Sequence, residues 1–157
     1  MNRKGQEHAK RIKTTLGVRR KAGGVREIEK PHKKLDVWQA AMKSTTMIYK
    51  LTNKFPEEEK FGLVSQMRRA SISIPCNIAE GAARQGKREF KYFLSMAQGS
   101  LSELDTQLEL AILLGYISTG DVREIGDQLL RIDKMLSGLI RSLREGTKNN
   151  KEKRPRA

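Results

Sequence analysis

The sequence predicts an all-α protein, an up-down four-helix bundle with a kinked second helix and flexible basic termini. Apolar residues recur at three- and four-residue steps in four successive runs, which is the spacing of one face of a helix. Short connections with Gly, Pro or acidic residues separate these runs, as in a bundle of consecutive antiparallel helices. The only alternating stretch, residues 71–74, lies inside a helical run. We therefore predict no strand in the body of the chain.

The first two predicted helices meet near Pro56. Proline followed by three glutamates predicts the start of the second helix, because proline at the first position loses no hydrogen bond and acids face the positive end of the helix dipole. The first helix has the stripe Leu35, Trp38, Met42, Thr45 and Tyr49, widened by Ala41 and Ile48. The second has the run Leu63, Met67, Ala70, Ile74 and Ile78.

The last two predicted helices have the most regular spacing. Gly115 predicts a glycine C-cap for the third helix, with Tyr116 folding back. Ser118, followed three residues later by Asp121, resembles a capping box at the start of the fourth. The third run is Phe90, Leu94, Ala97, Leu101, Leu104, Leu108 and Ala111. The fourth is Val122, Ile125, Leu129, Ile132, Leu136, Leu139 and Leu143.

Pro75 lies inside the second apolar run and predicts a bend in that helix. Proline has no N–H to donate and its ring crowds the carbonyl of Ser71. The hydroxyl groups of Ser71 and Ser73 are the expected local partners of the freed carbonyls. The neighbouring Cys76 is interpreted as a small core residue. Because it is the only cysteine, an internal disulfide is excluded and a reducing, cytoplasmic location is expected.

The net charge of +14 is concentrated at the two ends of the chain. Residues 1–34 carry +9 and residues 144–157 carry +4, which leaves +1 for the body. We therefore divide the chain into a flexible basic N-terminal arm (residues 1–32), a four-helix bundle (33–146) and a basic C-terminal tail (147–157). The ends are poor in large apolar residues, so they bury too little surface to offset the entropy of ordering. Such arms favour polyanions, most often nucleic acid. A solubilising tail or translated upstream sequence is the alternative.

The residues predict no catalytic, metal or cofactor site. His8 and His32 have no partner at ligand spacing, and the body contains no histidine. Glu103, Asp105 and Glu109 lack the Glu-x-x-His pattern of di-iron bundles and are assigned to a solvated helix face. No apolar run approaches the length of a membrane span. We expect a protein that is not an enzyme and contacts no membrane.

Six basic residues are expected to lie together near one end of the bundle, at the corner between the second and third helices. They are Arg68, Arg69, Arg84, Lys87, Arg88 and Lys91. Cations at the start of a helix oppose its dipole, so the cluster points to a nucleic-acid-binding surface. The alternative is a salt-bridged surface in which Arg84 pairs with Glu80. Asn77 and Glu80 are given structural roles, either in a buried polar network that fixes helix register or in a subunit contact.

Three stretches carry a resemblance to a known family. "FPEEEKFGLVSQMRRA", "SIPCNIAEGAAR" and "GSLSEL" resemble the bacterial 23S rRNA intervening-sequence proteins, over residues 34–140. The resemblance implies a ring-shaped homopentamer of four-helix bundles. A more distant similarity, to the accessory protein of diversity-generating retroelements, implies a basic ring that binds a reverse transcriptase and nucleic acid. The first 32 residues depart from the family pattern.

These observations predict a non-enzymatic, oligomeric nucleic-acid-binding protein. Structured RNA is the favoured ligand, bound through phosphate charge and shape, because only 5% of the residues are aromatic. The alternative is an accessory subunit that assists a reverse transcriptase or another enzyme. Ala41, Ile48 and Ile72 fall outside the main seams and predict self-association, with five subunits implied by the resemblance alone.

Overall fold

Four helices form the body of the chain in a computed structural model that describes residues 18–20, 26–28 and 30–152, with side chains from 30 to 144. The helices are α1 (Asp36–Thr52), α2 (Leu63–Ala83), α3 (Lys87–Leu113) and α4 (Thr119–Glu152). α2 packs against α1 and α3, and α4 packs against both α1 and α3. The predicted all-α four-helix bundle is therefore confirmed.

A short strand pair that the sequence analysis did not predict lies within the predicted arm. β1 (Val18–Arg20) pairs antiparallel with β2 (Arg26–Ile28), and Val18 lies opposite Ile28. Two adjacent glycines between runs that contain β-branched residues are the sequence signal for such a hairpin. The flexibility expected for the rest of the arm and for residues 153–157 lies outside the described residues. At the other terminus, α4 continues to Glu152, past the predicted bundle boundary at residue 146.

The predicted stripes of α2, α3 and α4 supply most of the core. Phe90, Val122, Leu139 and Leu143 lie at its margin, and Ile140 is buried in place of Leu139. The fully buried large side chains are Ile48, Met67, Ile74, Ile78, Leu94, Leu104, Ile132 and Leu136. The periodicity of these three helices was therefore sufficient to identify their core faces.

The stripe predicted for α1 was partly wrong. Met42 and Tyr49 are 42% and 39% exposed, whereas Ala41 and Ile48, which were expected to widen the stripe, are buried. The buried residues of α1 are Val37, Ala40, Ala41, Ser44, Ile48, Leu51 and Thr52. Small side chains hold much of this face because they let the α1 backbone pack closely against its neighbours. Of the three residues expected outside the seams, only Ile72 is exposed.

The start of α2 was also predicted wrongly. Residues Glu57–Lys60 form a separate 3₁₀ helix, and α2 begins only at Leu63. The carboxylate of Glu59 accepts hydrogen bonds from the Leu63 N–H (2.8 Å) and from the Tyr116 hydroxyl (2.9 Å). Glu59 thus caps α2 from the preceding turn and connects it to the segment that follows α3.

The predicted C-cap of α3 is confirmed. Gly115 has a φ of +74°, the left-handed conformation that glycine adopts at low cost. Its N–H donates to the Ile112 carbonyl (2.9 Å), and the Tyr116 N–H donates to the Ala111 carbonyl (3.0 Å). These two hydrogen bonds define a Schellman motif, which reverses the chain toward α4.

The predicted capping box of α4 is confirmed as well. The Asp121 carboxylate accepts hydrogen bonds from the Ser118 N–H (3.0 Å) and hydroxyl (2.7 Å), and the Asp121 N–H donates back to Ser118 Oγ (3.3 Å). Lys54 Nζ lies 2.7 Å from the same carboxylate. The hydrogen bonds from Lys54 and Ser118 hold the pKa of Asp121 well below its ordinary value. This contribution to stability is present at neutral pH and is lost as the pH falls into the strongly acidic range.

Pro75 lies within α2, which is helical throughout Leu63–Ala83, and the predicted bend stays a prediction. The Ser71 carbonyl, which Pro75 leaves without its helical donor, accepts a hydrogen bond from Thr45 Oγ1 of α1 (2.8 Å). The Ser71 hydroxyl instead donates to the Arg68 carbonyl (2.8 Å). The expected local compensation by serine was therefore wrong, because the neighbouring helix supplies the donor.

Cys76 is exposed, so its assignment to the core was wrong. Ile74, Pro75 and Ile78 occupy the core side of this turn of α2. At about 100° per residue, position 76 then lies on the outer side of the helix.

The Thr45 hydrogen bond is tested by Thr45→Val, which keeps the side-chain shape but removes the donor. We expect the free energy of unfolding to fall by about 1–3 kcal/mol, the cost of leaving a buried carbonyl unpaired. In a Pro75→Ala background the backbone N–H regained at position 75 replaces the donor, so the same substitution should cost less. Urea denaturation, monitored by circular dichroism, gives the free energy of unfolding of the wild type, the two single variants and the double variant. Thr46→Val is the matched control, since the Thr46 hydroxyl donates to Lys43 on the exposed side of α1. Equal costs in both backgrounds would contradict the assignment.

Candidate nucleic-acid interface

The six predicted basic residues do not form one cluster. Arg68 and Arg69 lie in the first two turns of α2, whereas Arg84 follows its last turn. Because 16 positions separate Arg68 from Arg84, the two lie about 24 Å apart along the helix at 1.5 Å per residue. Lys87, Arg88 and Lys91 begin α3, on the Arg84 side. The structure thus divides the predicted site between the two ends of the bundle.

Arg68 has a structural role. Its Nε donates to Thr52 Oγ1 (2.9 Å) and its Nη2 donates to Asn53 Oδ1 (3.0 Å). Its guanidinium also lies 4.7 Å from the centre of the Tyr49 ring, within the range of a cation–π interaction. These contacts hold the C-terminal end of α1 against α2. Arg69 is exposed and takes no part in them.

Arg84 is held by two neighbours at the corner between α2 and α3. Its Nη2 donates to Glu80 Oε1, and its guanidinium lies 5.2 Å from the centre of the Phe93 ring. The pairing of Arg84 with Glu80, one of the two sequence interpretations, is therefore present. An exposed ion pair adds little to stability, but Glu80 balances part of the Arg84 charge. The uncompensated charge at this corner comes from the start of α3.

Lys87, Arg88 and Lys91 supply that charge. Among the residues with described side chains, no ion pair joins any of these three to an acid. Lys87 and Arg88 are exposed and Lys91 is half-buried. Glu89, between them in the sequence, is the acidic residue of this first turn. The start of α3 therefore presents three cations against one carboxylate, although cations are unfavourable at a helix N-terminus.

Asn77 belongs to a polar network between α2 and α3. Its side-chain amide donates to the carbonyl (2.9 Å) and hydroxyl (3.0 Å) of Ser73, and Ser100 Oγ donates to the same hydroxyl (2.8 Å). The network is half-buried and links the two helices at one level, as expected of a register-fixing contact. Glu80 is exposed, and its described partner is Arg84.

The packing of the helices brings more basic residues to the corner. Thr45 bonds to Ser71, and Thr52, later in α1, bonds to Arg68, earlier in α2. The two helices are therefore antiparallel, and the start of α1 lies beside the end of α2. Gln98 donates to Ser137 (2.9 Å), so the first turns of α3 lie beside the part of α4 beyond residue 137. We call this region the basic end. Its cations are Lys30, Lys33, Lys34, Arg84, Lys87, Arg88, Lys91, Arg141 and Arg144, and its acids are Asp36, Glu80 and Glu89.

His32 reports the electrostatics of the basic end. His32 lies in the 3₁₀ turn Pro31–Lys34 that precedes α1. The centre of its ring is 5.1 Å from that of Trp38 in α1. Burial, followed by the charges of Lys30 and Lys33, lowers the pKa of His32. Burial first, and the neighbouring positive charges second, thus favour the neutral imidazole.

Five cations of the basic end were absent from the predicted set. Lys30, Lys33 and Lys34 are far in sequence from the corner, and so are Arg141 and Arg144. One feature of the sequence could have predicted their position. An even number of antiparallel helices returns the chain to the end where it started, so both flanking basic segments lie at one end of the bundle.

Within the described residues, no three His, Cys, Asp or Glu side chains are placed to hold a metal ion. Of the described helices, none combines the length and the apolar character that a membrane crossing requires.

Comparison with known proteins places these features in context. The family model described as 23S rRNA-intervening sequence protein matches residues 33–138. A crystal structure of a protein of unknown function, from the S23 ribosomal protein family of Bacteroides thetaiotaomicron, superposes with a TM-score of 0.62 at 27% identity. The match covers 66% of this chain and 97% of that one. No curated protein matches the chain.

The different roles of the two neighbouring arginines can be tested by truncating each. Arg68→Ala should lower the free energy of unfolding by about 1–2 kcal/mol, because it removes charged hydrogen bonds and a cation–π contact. Arg69→Ala removes the same charge from an exposed position, and should change stability by less than about 0.5 kcal/mol. Urea denaturation compares them. Equal losses for the two variants would remove the structural role of Arg68.

Proposed function

Because the chain belongs to the family of 23S rRNA-intervening sequence proteins, we propose that it is a non-enzymatic RNA-binding protein that holds structured RNA at its basic end. One observation carries the proposal: both charged termini attach to the end of the bundle where α3 presents its three cations. Residues 1–34 carry +9 and residues 144–157 carry +4. The body has a charge of only +1, so most of the excess charge is attached to one end of the bundle.

Binding of this kind is electrostatic and reads shape more than sequence. Lys and Arg side chains gain affinity by displacing counterions from phosphates. The base edges in the deep, narrow major groove of an RNA duplex cannot be read by side chains, so a helical bundle without a reading module recognises the phosphates, the 2′-hydroxyls and their spacing. Discrimination among RNA sequences is accordingly expected to be small.

We also propose that the protein is a homo-oligomer, with five subunits favoured by the family resemblance. Four exposed residues form an outer band across α1, α2 and α3: Met42, Ile72, Cys76 and Met96. Met42 is one turn from Thr45, which bonds to Ser71, and Met96 is one turn from Ser100, which bonds to Ser73. An exposed apolar band of this kind suits association between copies. A symmetric assembly would multiply the phosphate contacts of each basic end.

A second candidate function is an accessory subunit that binds a reverse transcriptase or another enzyme. The opposite end of the bundle favours it. Phe61 is 87% exposed before α2, and Leu113 is 82% exposed at the end of α3. Because α2 and α3 are antiparallel, these two side chains lie at the same end of the bundle. Exposed large apolar residues there suit a protein partner rather than a polyanion.

The RNA-binding proposal predicts that the salt dependence of RNA affinity changes with the position of the cations that are removed as well as with their number. Changing Lys87, Arg88 and Lys91 to Ala should reduce the slope of log affinity against log salt by about 0.7–0.9 for each lost phosphate contact. Fluorescence anisotropy with a structured RNA between about 50 and 200 mM salt measures it. Removal of residues 1–29 should reduce the slope further.

The control is a variant with the same net charge. Lys50, Lys60 and Arg69 lie toward the opposite end of the bundle, and changing them to Ala removes three cations as well. This variant should keep the wild-type slope. If both triple variants weaken binding equally, net charge alone is responsible and the basic end is not the site. If wild-type affinity is indifferent to salt, the accessory-subunit function gains over RNA binding.

The outer band predicts the effect of one charge on assembly. Ile72→Glu should convert an oligomer into single chains of 17.8 kDa, because burying an unpaired carboxylate in an apolar contact is costly. Light scattering at micromolar concentration measures the mass. Leu130→Glu is the control, since Leu130 is 54% exposed on α4 and lies outside the band. A wild-type mass of one chain would refute self-association.

A further inference from the structure

We infer that the basic end binds unpaired nucleotides and that Tyr92 is the residue on which a base stacks. The inference rests on the proposed RNA-binding function and adds the class of nucleotide. Tyr92 lies on α3 one turn after Arg88, and 61% of its surface is exposed. The exposed aromatic residues among the described side chains are Tyr49, Phe61 and Tyr92. Of these, Tyr92 is the one at the basic end.

The surroundings of Tyr92 hold its ring in place. The ring packs edge-on against Phe93, with centroids 5.4 Å apart and planes at 79°. Phe93 is itself fixed against α2, because a Cβ on Gly81 would lie 2.8 Å from the Phe93 Cβ. α2 and α3 therefore approach closely at this level. The Arg84 guanidinium lies over the Phe93 ring. Tyr92 is thus braced by an anchored neighbour while most of its own surface faces solvent.

Base stacking would account for an exposed aromatic ring one turn after Arg88 at the basic end. Proteins that bind single strands combine cations that follow the phosphates with aromatic rings that stack on the bases. Arg88 lies one turn before Tyr92, and Arg84 lies against the ring that braces it. In a duplex the bases are stacked on one another and unavailable, so Tyr92 gains a partner only from a loop, bulge or single-stranded end. The phosphate charge of the basic end would then bind any RNA, and Tyr92 would select unpaired segments.

The experiment separates stacking from charge by removing the bases. Full-length protein is titrated with an oligouridine 12-mer and with an abasic ribose-phosphate chain of the same length, both followed by fluorescence anisotropy. The wild type should bind the uridine chain about 5- to 150-fold more tightly, the range for one base stacked on one aromatic ring. Tyr92→Leu should abolish this ratio without changing the affinity for the abasic chain, and Tyr92→Phe should retain it. Tyr49→Leu, on the opposite half of the bundle, is the control and should also retain the ratio.

The outcomes distinguish this inference from the function on which it rests. If neither chain binds, the RNA-binding function fails and the inference fails with it. If both chains bind equally with a strong salt dependence, RNA binding stands and stacking is refuted. If Tyr92→Leu keeps the wild-type ratio, or if Tyr49→Leu abolishes it as well, Tyr92 is not the stacking residue. If only Tyr92→Leu abolishes the ratio, the assignment is supported.

Discussion

The even number of antiparallel helices is the constraint on which the rest of the molecule depends. Each reversal sends the chain to the other end of the bundle, so a chain that enters α1 at one end leaves α4 at that end. The two basic segments of the sequence, separated by more than a hundred residues, are thereby attached to one place. The connection between α2 and α3 lies there too, which adds Lys87, Arg88 and Lys91. A chain whose body has almost no net charge is therefore strongly polarised in space.

The antiparallel arrangement is maintained by polar contacts between segments as well as by the apolar core. Thr45 of α1 donates to the carbonyl that Pro75 leaves free in α2, and Ser100 of α3 bonds to Ser73 of α2. Near the opposite end, Glu59 bonds to Tyr116 and Lys54 pairs with Asp121. Apolar stripes alone permit neighbouring helices to slide by a turn, whereas directional hydrogen bonds fix one register. The relative height of the cations at the basic end is determined by that register.

The sequence was sufficient to predict the helices but not to predict which residues of different helices lie in contact. The runs of α2, α3 and α4, the Gly115 C-cap and the Ser118–Asp121 box depend on residues within about one turn, so local rules identified them. The core face of α1 was only partly predicted because Ala40, Ala41 and Ser44, which carry a weak hydrophobic signal, occupy much of it. Cys76 was misassigned although the periodicity of its own helix places it on the outer side, whereas the partners of Arg68 come from the end of α1 and could not be predicted locally. The donor to the Ser71 carbonyl comes from 26 residues away, and no local pattern indicates such a partner.

The number of cations in a segment is therefore a poor guide to whether the segment binds nucleic acid. The partners that each cation already has are more informative. Arg68 and Arg84 were both expected to meet nucleic acid, yet Arg68 is committed to the end of α1 and Arg84 shares its charge with Glu80. A guanidinium already paired with a carboxylate must exchange one partner for another in order to bind phosphate, so it gains less than an unpaired one. Arg84 instead stacks on Phe93 and helps to form the surface that braces Tyr92. At the basic end, Arg84 is thus held by Glu80 and Phe93, while the cations at the start of α3 have no ion-pair partner among the described side chains. In the proposed function, Arg84 shapes the surface beneath Tyr92 and the other cations supply the charge that binds phosphate.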